Sequence, residues 1–95
     1  MAAYVIADVD VKDPAAFEEY RKAVPALIEK YGGKYIVRGG THEILEGYWE
    51  PARLVVLEFP SMEHARRFFQ SKDYRPIKSL RVNSALSNLV LVEGL

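Results

Sequence analysis

The stretch "YVIADVDVKDP", residues 4–14, decides the fold, because a strand and the start of a helix follow one another within it. Apolar residues occupy every second position from Val5 to Val11, which is the two-residue period of a β-strand. Asp13 is a suitable helix N-cap, and Pro14 fits the first helical position, where its missing N–H is not needed. The stretch therefore predicts a strand over 4–11 that leads directly into a helix.

The first helix is predicted to end at Gly32-Gly33 in a left-handed turn. Pro25 lies inside this helix and predicts a kink. Apolar and aromatic side chains recur at helical spacing and form its predicted buried stripe. These residues are Phe17, Tyr20, Val24, Leu27 and Tyr31.

Three more strands are predicted at "KYIVRG" (34–39), "RLVVLEF" (53–59) and "LVLVE" (89–93). Ser61 caps a predicted second helix in which Ala65, Phe68 and Phe69 face the core. "DYRPIKSLR" (73–81) indicates a short further helical piece, and residues 82–88 are polar and typical of a loop. The order β-α-β-β-α-β predicts one ferredoxin-like α+β domain over 1–95, with both helices on one face of a four-stranded antiparallel sheet.

Composition excludes several classes of protein. The 13 Lys and Arg balance the 13 Asp and Glu, so the chain lacks the basic surface of a nucleic-acid or membrane-surface binder. The pattern of RNA-recognition modules is also missing from "RLVVLEF". With no cysteine there is no disulfide or thiolate site, and no run approaches the ~18 apolar residues of a membrane span. The N-terminus indicates a strand rather than a signal peptide, so we expect a cytoplasmic protein.

The sheet face away from the helices is predicted to be apolar, unlike that of a monomeric antiparallel sheet. Such a patch favours association, and a homodimer with sheet against sheet covers it most simply. Its predicted apolar members are Tyr4, Ile6, Ile36, Leu54, Val56, Leu89 and Leu91. The same alternation predicts that the charged residues Asp8, Arg38, Glu58 and Glu93 lie on this face. A cavity between the two sheets could hold Asp8, Glu58 and Arg38, so we take these three as candidate ligand-binding residues.

Several segments resemble the domain-of-unknown-function 1330 family. They are "YVIADVDVKDP", "YGGKYIVRGG", "LEGYW", "LVVLEFPSMEHARRFF" and "DYRPIKSLR". The resemblance implies a dimeric ferredoxin-like α+β barrel, in a superfamily that includes cofactor-free antibiotic-biosynthesis monooxygenases, muconolactone isomerases and chlorite-dismutase-like haem proteins. It assigns no catalytic residue to this chain, and gives only an analogy for function.

Arg38 and the glycine pair after it form the first candidate site. Gly39-Gly40 is not a phosphate-binding loop, because no helix N-terminus follows it, and it predicts a bulge or a turn with positive φ. Arg38 is a candidate anchor for a ligand carboxylate. The alternative is an internal ion pair between Arg38 and Asp8 or Glu58.

Three further residues are candidates for ligand binding. His42 is a candidate general base, against the alternative of an exposed loop residue. Trp49 is predicted at a pocket rim or in the dimer interface, and Tyr74 at the cavity mouth or in the core. The two histidines have no metal-binding spacing and no dinucleotide motif is present, so we expect neither a metal nor a cofactor.

The sequence thus predicts a small dimeric protein that binds or transforms a small organic molecule, with an anion as one candidate, near the dimer interface. A non-catalytic dimerisation or regulatory module is one alternative. A cofactor-free monooxygenase or isomerase is the other, by superfamily analogy alone.

Overall fold

The computed structural model describes all residues from 1 to 95. Its elements are β1 (Ala3–Val11), α1 (Pro14–Lys30), β2 (Lys34–Arg38), β3 (Leu54–Phe59), α2 (Met62–Gln70), α3 (Tyr74–Ser84) and β4 (Ala85–Glu93). The strands form one antiparallel sheet in the order β2-β3-β1-β4. This confirms the predicted ferredoxin-like α+β fold, to which α3 adds a third helix before the last strand.

The predicted boundaries of α1 are confirmed by hydrogen bonds. The Asp13 side chain accepts a hydrogen bond from the Ala16 N–H at 3.2 Å, and Pro14 is the first helical residue. The helix continues through Pro25 to Lys30, and Gly32 follows it in a left-handed conformation with a φ of +85°. Ser61 caps α2 by accepting from the His64 N–H at 3.2 Å.

The core lies between the helices and one face of the sheet. Its larger cluster contains buried side chains from β1, β3 and all three helices. Of the predicted stripe on α1, Phe17, Val24 and Leu27 are buried, while Tyr20 and Tyr31 are half-buried. On α2, Phe68 is buried as predicted, but Phe69 is 36% exposed.

The predicted loop over 82–88 is wrong. Helix α3 continues to Ser84, and β4 begins at once and pairs with β1 from Ala85↔Val11 onward. Backbone pairing along the whole of β1 outweighs the polar side chains of this segment. Because Leu89 pairs with Ala7 and Leu91 with Val5, both leucines lie on the helix side of the sheet. Their predicted place on the other face is wrong, and so is that of Glu93, which pairs with Ala3.

Strand β2 contains a bulge that changes the face of Arg38. Tyr35 pairs with Leu57 but Val37 pairs with Val56, so Ile36 is an extra residue in the ladder. A bulge reverses the alternation beyond it. Arg38 therefore pairs with Val55 and lies on the helix side of the sheet. The prediction that Arg38 shares a face with Asp8 and Glu58 is wrong, because it treated β2 as a regular strand without a bulge.

The face away from the helices, which we call the open face, remains apolar with these corrections. Its apolar residues, by pairing register, are Tyr4, Ile6, Val37, Leu54, Val56, Leu86, Val90 and Val92. Residues 39–53 connect β2 to β3 without a helix or strand. Within this connecting segment, Leu45, Tyr48 and Trp49 are exposed. No helix has the length and apolar character that crossing a membrane requires.

Candidate functional site: a cationic cavity under the helices

The structure divides the six candidate residues between the two sides of the sheet. Asp8 and Glu58 lie on the open face, and Trp49 and His42 belong to the connecting segment. Arg38 and Tyr74 line a cavity on the helix side. The sheet thus separates Arg38 from both carboxylates that were its predicted partners.

On the open face, Asp8 holds the connecting segment in place. The Trp49 Nε1–H donates to Asp8 Oδ2 at 3.0 Å, and the Ala52 N–H donates to Asp8 Oδ1 at 2.9 Å. The hydrogen bond from Trp49 is the main cause that lowers the pKa of Asp8, with smaller contributions from the backbone and from His42, against an opposing effect of burial. Asp8 is therefore an ionised anchor for the segment.

The other two candidates of this side have ordinary surroundings. Glu58 forms an ion pair with Lys34 on the neighbouring strand, at 3.4 Å. His42 is exposed, and its side chain makes no hydrogen bond within the chain. Glu58 is therefore paired with Lys34 and not with Arg38, and the geometry favours the exposed-loop alternative for His42.

The cavity on the helix side has a volume of about 60 Å³. Apolar side chains from β1, β3, α1 and α2 form most of its wall, and no acidic residue lines it. The polar side chains in the wall are all arginines and tyrosines. They are Arg21, Arg38, Arg53, Arg81, Tyr20, Tyr35 and Tyr74.

The more accessible part of this wall, which we call the cavity mouth, contains the exposed Arg38 and the half-buried Arg53. The Arg38 guanidinium stacks on the Tyr35 ring, with its Cζ 4.4 Å from the ring centre. The Arg53 guanidinium lies against Gly39, where a Cβ atom would overlap it. Gly39 also has a φ of +69°, which confirms the predicted positive-φ glycine. Neither arginine forms an ion pair.

The interior of the cavity contains Arg81, which is only 5% exposed. Its Nε has no hydrogen-bond partner, and its guanidinium forms no ion pair. The Arg81 Cζ lies 6.0 Å from the centre of the Tyr20 ring. The Tyr20 and Tyr74 hydroxyls are hydrogen-bonded at 3.1 Å. Tyr74 is 1% exposed and belongs to the core cluster while it lines the cavity interior, which favours the predicted core position over the cavity mouth.

Burial is the main cause that raises the pKa of Tyr20, and the neighbouring Tyr74 adds to the effect. Burial also raises the pKa of Tyr35, although the positive charges of Arg38 and Arg53 act against it. Both hydroxyls therefore stay protonated at neutral pH and act as hydrogen-bond donors rather than as bases.

Sequence reasoning did not select Arg53, Arg81, Tyr20 or Tyr35 as site residues. Arg81 could have been found, because it falls on the buried side of α3 at helical spacing from Tyr74. An arginine in a buried stripe is unusual and points to a specific role. Arg53 alternates with Leu54 in the predicted strand over 53–59 and so falls on the helix side, but no local pattern shows that a cavity lies there.

A family model described as a domain of unknown function (DUF1330) matches residues 2–95. The chain belongs to the DUF1330 family. Solved structures with a similar fold include a protein of unknown function from Rhodopseudomonas palustris, with a TM-score of 0.79 at 18% identity, covering 99% of the DUF1330 chain and 82% of the other. No curated protein sequence matches it.

Two other similar structures carry more descriptive names. One is a dimeric ferredoxin-like protein of unknown function from Jannaschia sp. CCS1, with a TM-score of 0.66 at 12% identity, covering 99% of the DUF1330 chain and 100% of the other. The second is SnoaB, a cofactor-independent oxygenase from Streptomyces nogalater, with a TM-score of 0.63 at 15% identity and coverages of 99% and 92%. At these identities the likeness shows the fold alone.

Proposed function

We propose that this protein binds a small organic anion in the cavity under its helices, and that it does so as a homodimer joined through the open face. The observation that carries the binding proposal is an apolar cavity with unpaired arginines in its wall and no carboxylate. Guanidinium groups bind carboxylates through paired hydrogen bonds, and an apolar wall accommodates the carbon skeleton.

The homodimer is supported by the apolar open face and by the dimeric ferredoxin-like protein of similar fold. Burying one large apolar side chain contributes ~1.5–3 kcal/mol, so covering several of them is comparable with the stability of a small domain. In this arrangement the cavity lies on the opposite side of the sheet from the dimer contact. This proposal therefore places the ligand away from the interface, where the sequence had predicted it.

The binding proposal is tested by thermal melts of the wild-type protein with short-chain carboxylates and with the corresponding neutral amides. A ligand at 100 times its Kd stabilises a folded protein by ~2.7 kcal/mol, which raises the melting temperature of a domain of this size by roughly ten degrees or more. We expect this rise with carboxylates, and none with amides or with sodium chloride at the same ionic strength.

A cavity-filling variant tests the location. Ala7 is buried and lines the cavity, so Ala7→Leu should fill the space and remove the carboxylate-induced rise while the protein remains folded. Ala26→Leu, at an exposed position of α1, is the control and should keep the rise. A wild-type protein that no carboxylate stabilises, or a full rise in Ala7→Leu, contradicts the proposal.

The alternatives differ from this proposal in what the cavity does. A non-catalytic dimerisation or regulatory module would form the dimer and show no response to carboxylates.

The second alternative is cofactor-independent oxygenase chemistry, as named for SnoaB, or an isomerase. Proton abstraction in such reactions needs a base, whereas burial keeps the Tyr20 hydroxyl protonated. Ligand binding is therefore the better-supported function of this cavity.

A further inference from the structure

We propose that the ligand is a short dicarboxylate, with one carboxylate bound to Arg81 in the cavity interior and the other bound to Arg38 and Arg53 at the cavity mouth. This inference rests on the proposed function and adds to it the charge and orientation of the ligand. It follows from two separate groups of unpaired positive charge in one small cavity.

The interior group is the stronger argument, because Arg81 is 5% exposed and yet unpaired. A buried guanidinium without a counter-ion is strongly unfavourable, and no acidic residue lines the cavity to supply one. The Tyr20 and Tyr74 hydroxyls add a donor, since one hydroxyl donates to the other and the second proton remains free. A carboxylate beside Arg81 would satisfy both the charge and the free hydroxyl.

The group at the cavity mouth is suited to a second carboxylate. The Arg38 guanidinium uses its flat face to stack on Tyr35, which leaves its N–H edges free for paired hydrogen bonds. Arg53 lies on the same side, and the positive charges of both arginines act on the Tyr35 hydroxyl. The remaining cavity arginine, Arg21, already lies 3.7 Å from Glu18 and is left out of the site.

The size of the cavity limits the length of the ligand. At ~15 Å³ for each water-sized group, the volume of about 60 Å³ holds roughly four such groups. That is enough for one carboxylate and a short carbon chain, so a second carboxylate reaches the cavity mouth. Tyr35 lines the same cavity, and Arg38 at the mouth stacks on its ring. The three unpaired guanidinium groups are balanced better by a dianion than by a monoanion.

The proposal is tested at neutral pH by calorimetric titration with three probes of equal chain length: succinate, butyrate and succinamide. We expect succinate to bind the wild type about tenfold or more tightly than butyrate, a difference of at least ~1.4 kcal/mol, and succinamide not to bind. Equal affinities for succinate and butyrate overturn the dicarboxylate proposal but leave anion binding intact. Absence of binding by both acids overturns the proposed function as well.

Two variants separate the two ends of the ligand. Arg38→Gln should reduce the preference for succinate over butyrate, because Arg53 alone remains to bind the second carboxylate, while the affinity for butyrate stays unchanged. Arg81→Met should abolish binding of both acids. It should also raise the melting temperature of the unliganded protein, because it removes a buried unpaired charge. Arg75→Gln, at an exposed position of α3 outside the cavity, is the control and should bind as the wild type does.

A structural role for Arg81 gives the opposite result in the melt. If Arg81→Met lowers the melting temperature of the unliganded protein, the arginine stabilises the core, and its assignment as the interior anchor is overturned. Arg38 is exposed, so Arg38→Gln should fold whatever happens to the Arg81 variant. An Arg38→Gln protein that prefers succinate as strongly as the wild type does overturns the assignment of Arg38 to the second anchor.

Discussion

At Gly39 the backbone and a neighbouring side chain both exclude a Cβ atom. The φ of +69° places the residue in the left-handed region, and a Cβ would overlap the Arg53 guanidinium. The next residue, Gly40, has no positive φ, and no atom lies within 4 Å of the position that a Cβ would take there. The adjacent glycines therefore differ in their roles, and only the first one positions a cavity arginine.

We predict that Gly39→Ala destabilises the protein by ~1–2 kcal/mol, because a left-handed conformation costs an L-residue about that much. It should also displace Arg53 and weaken carboxylate binding. Gly40→Ala is the matched control, and its effect should stay within about ±0.5 kcal/mol, as for most surface substitutions. Urea unfolding of the two variants measures the difference. Equal losses of stability in the two variants would contradict the prediction, because the left-handed conformation of residue 39 would then add no cost of its own.

Among the elements, β2 and the connecting segment 39–53 decide where the functional side chains lie. The bulge at Ile36 directs Arg38 to the helix side, and the segment that follows returns across the sheet to be held by Asp8. Asp8 is the only residue of β1 whose side chain holds this segment, and it accepts the two hydrogen bonds from Trp49 and Ala52. The position of the segment should therefore depend on the charge of Asp8.

We predict a loss of stability in acid that depends on Asp8. Its pKa in the folded protein is below the ordinary value of 3.8, so its ionised form stabilises the fold above that pH, and this contribution is lost as the pH falls through the lowered pKa. The free energy of unfolding is measured for the wild type and for Asp8→Asn from neutral pH to below 3.8. The fluorescence of Trp49, the only tryptophan, follows the unfolding.

The Asp8→Asn variant should be less stable at neutral pH and should lose less stability in acid than the wild type. Asp10→Asn is the matched control, since Asp10 lies two residues along the same strand and bonds only to Lys12. Its pH dependence should follow that of the wild type. If Asp8→Asn and the wild type lose stability in parallel, the segment is not held by the charge of Asp8.

For the whole molecule, the two faces of the sheet have separate roles. The helix side contains the core and the cationic cavity, and the open face contains an apolar surface that the chain alone leaves uncovered. A dimer formed through the open face would leave the cavity accessible from the other side. Assembly and ligand binding should then be separable by mutation.

We predict that Val90→Glu prevents dimer formation while the chain stays folded, because it places a charge in the apolar contact. Val90 is 57% exposed in the single chain, so the substitution does not disturb the core. Val82→Glu, at a 56% exposed position on α3, is the matched control and should remain dimeric. Light scattering after size exclusion distinguishes the 10.8 kDa chain from a particle of twice that mass.

A wild-type protein that is monomeric at micromolar concentration would contradict the dimer. So would a Val90→Glu protein that remains dimeric. Carboxylate binding by a monomeric Val90→Glu variant would show in addition that the cavity is complete within one chain.

The order of the elements could be predicted from the sequence because it depends on local interactions. The alternation in β1, the Asp13 cap, the glycine after α1 and the Ser61 cap each involve residues a few positions apart. The buried face of β1 could be predicted for the same reason. The family resemblance was also carried by short segments along the chain, and the match over residues 2–95 confirmed it.

The face of Arg38 and the site itself were decided only by the tertiary structure. "KYIVR" has apolar residues at three successive positions, so its pattern fits a regular strand as well as a bulged one, and pairing with β3 selects the bulge. In the same way, β1 sets the start of β4 and so the face of Leu89. Arg38, Arg53 and Arg81 come from three different elements or connections. Their meeting in one cavity depends on non-local pairing and packing, which no local pattern in the sequence records.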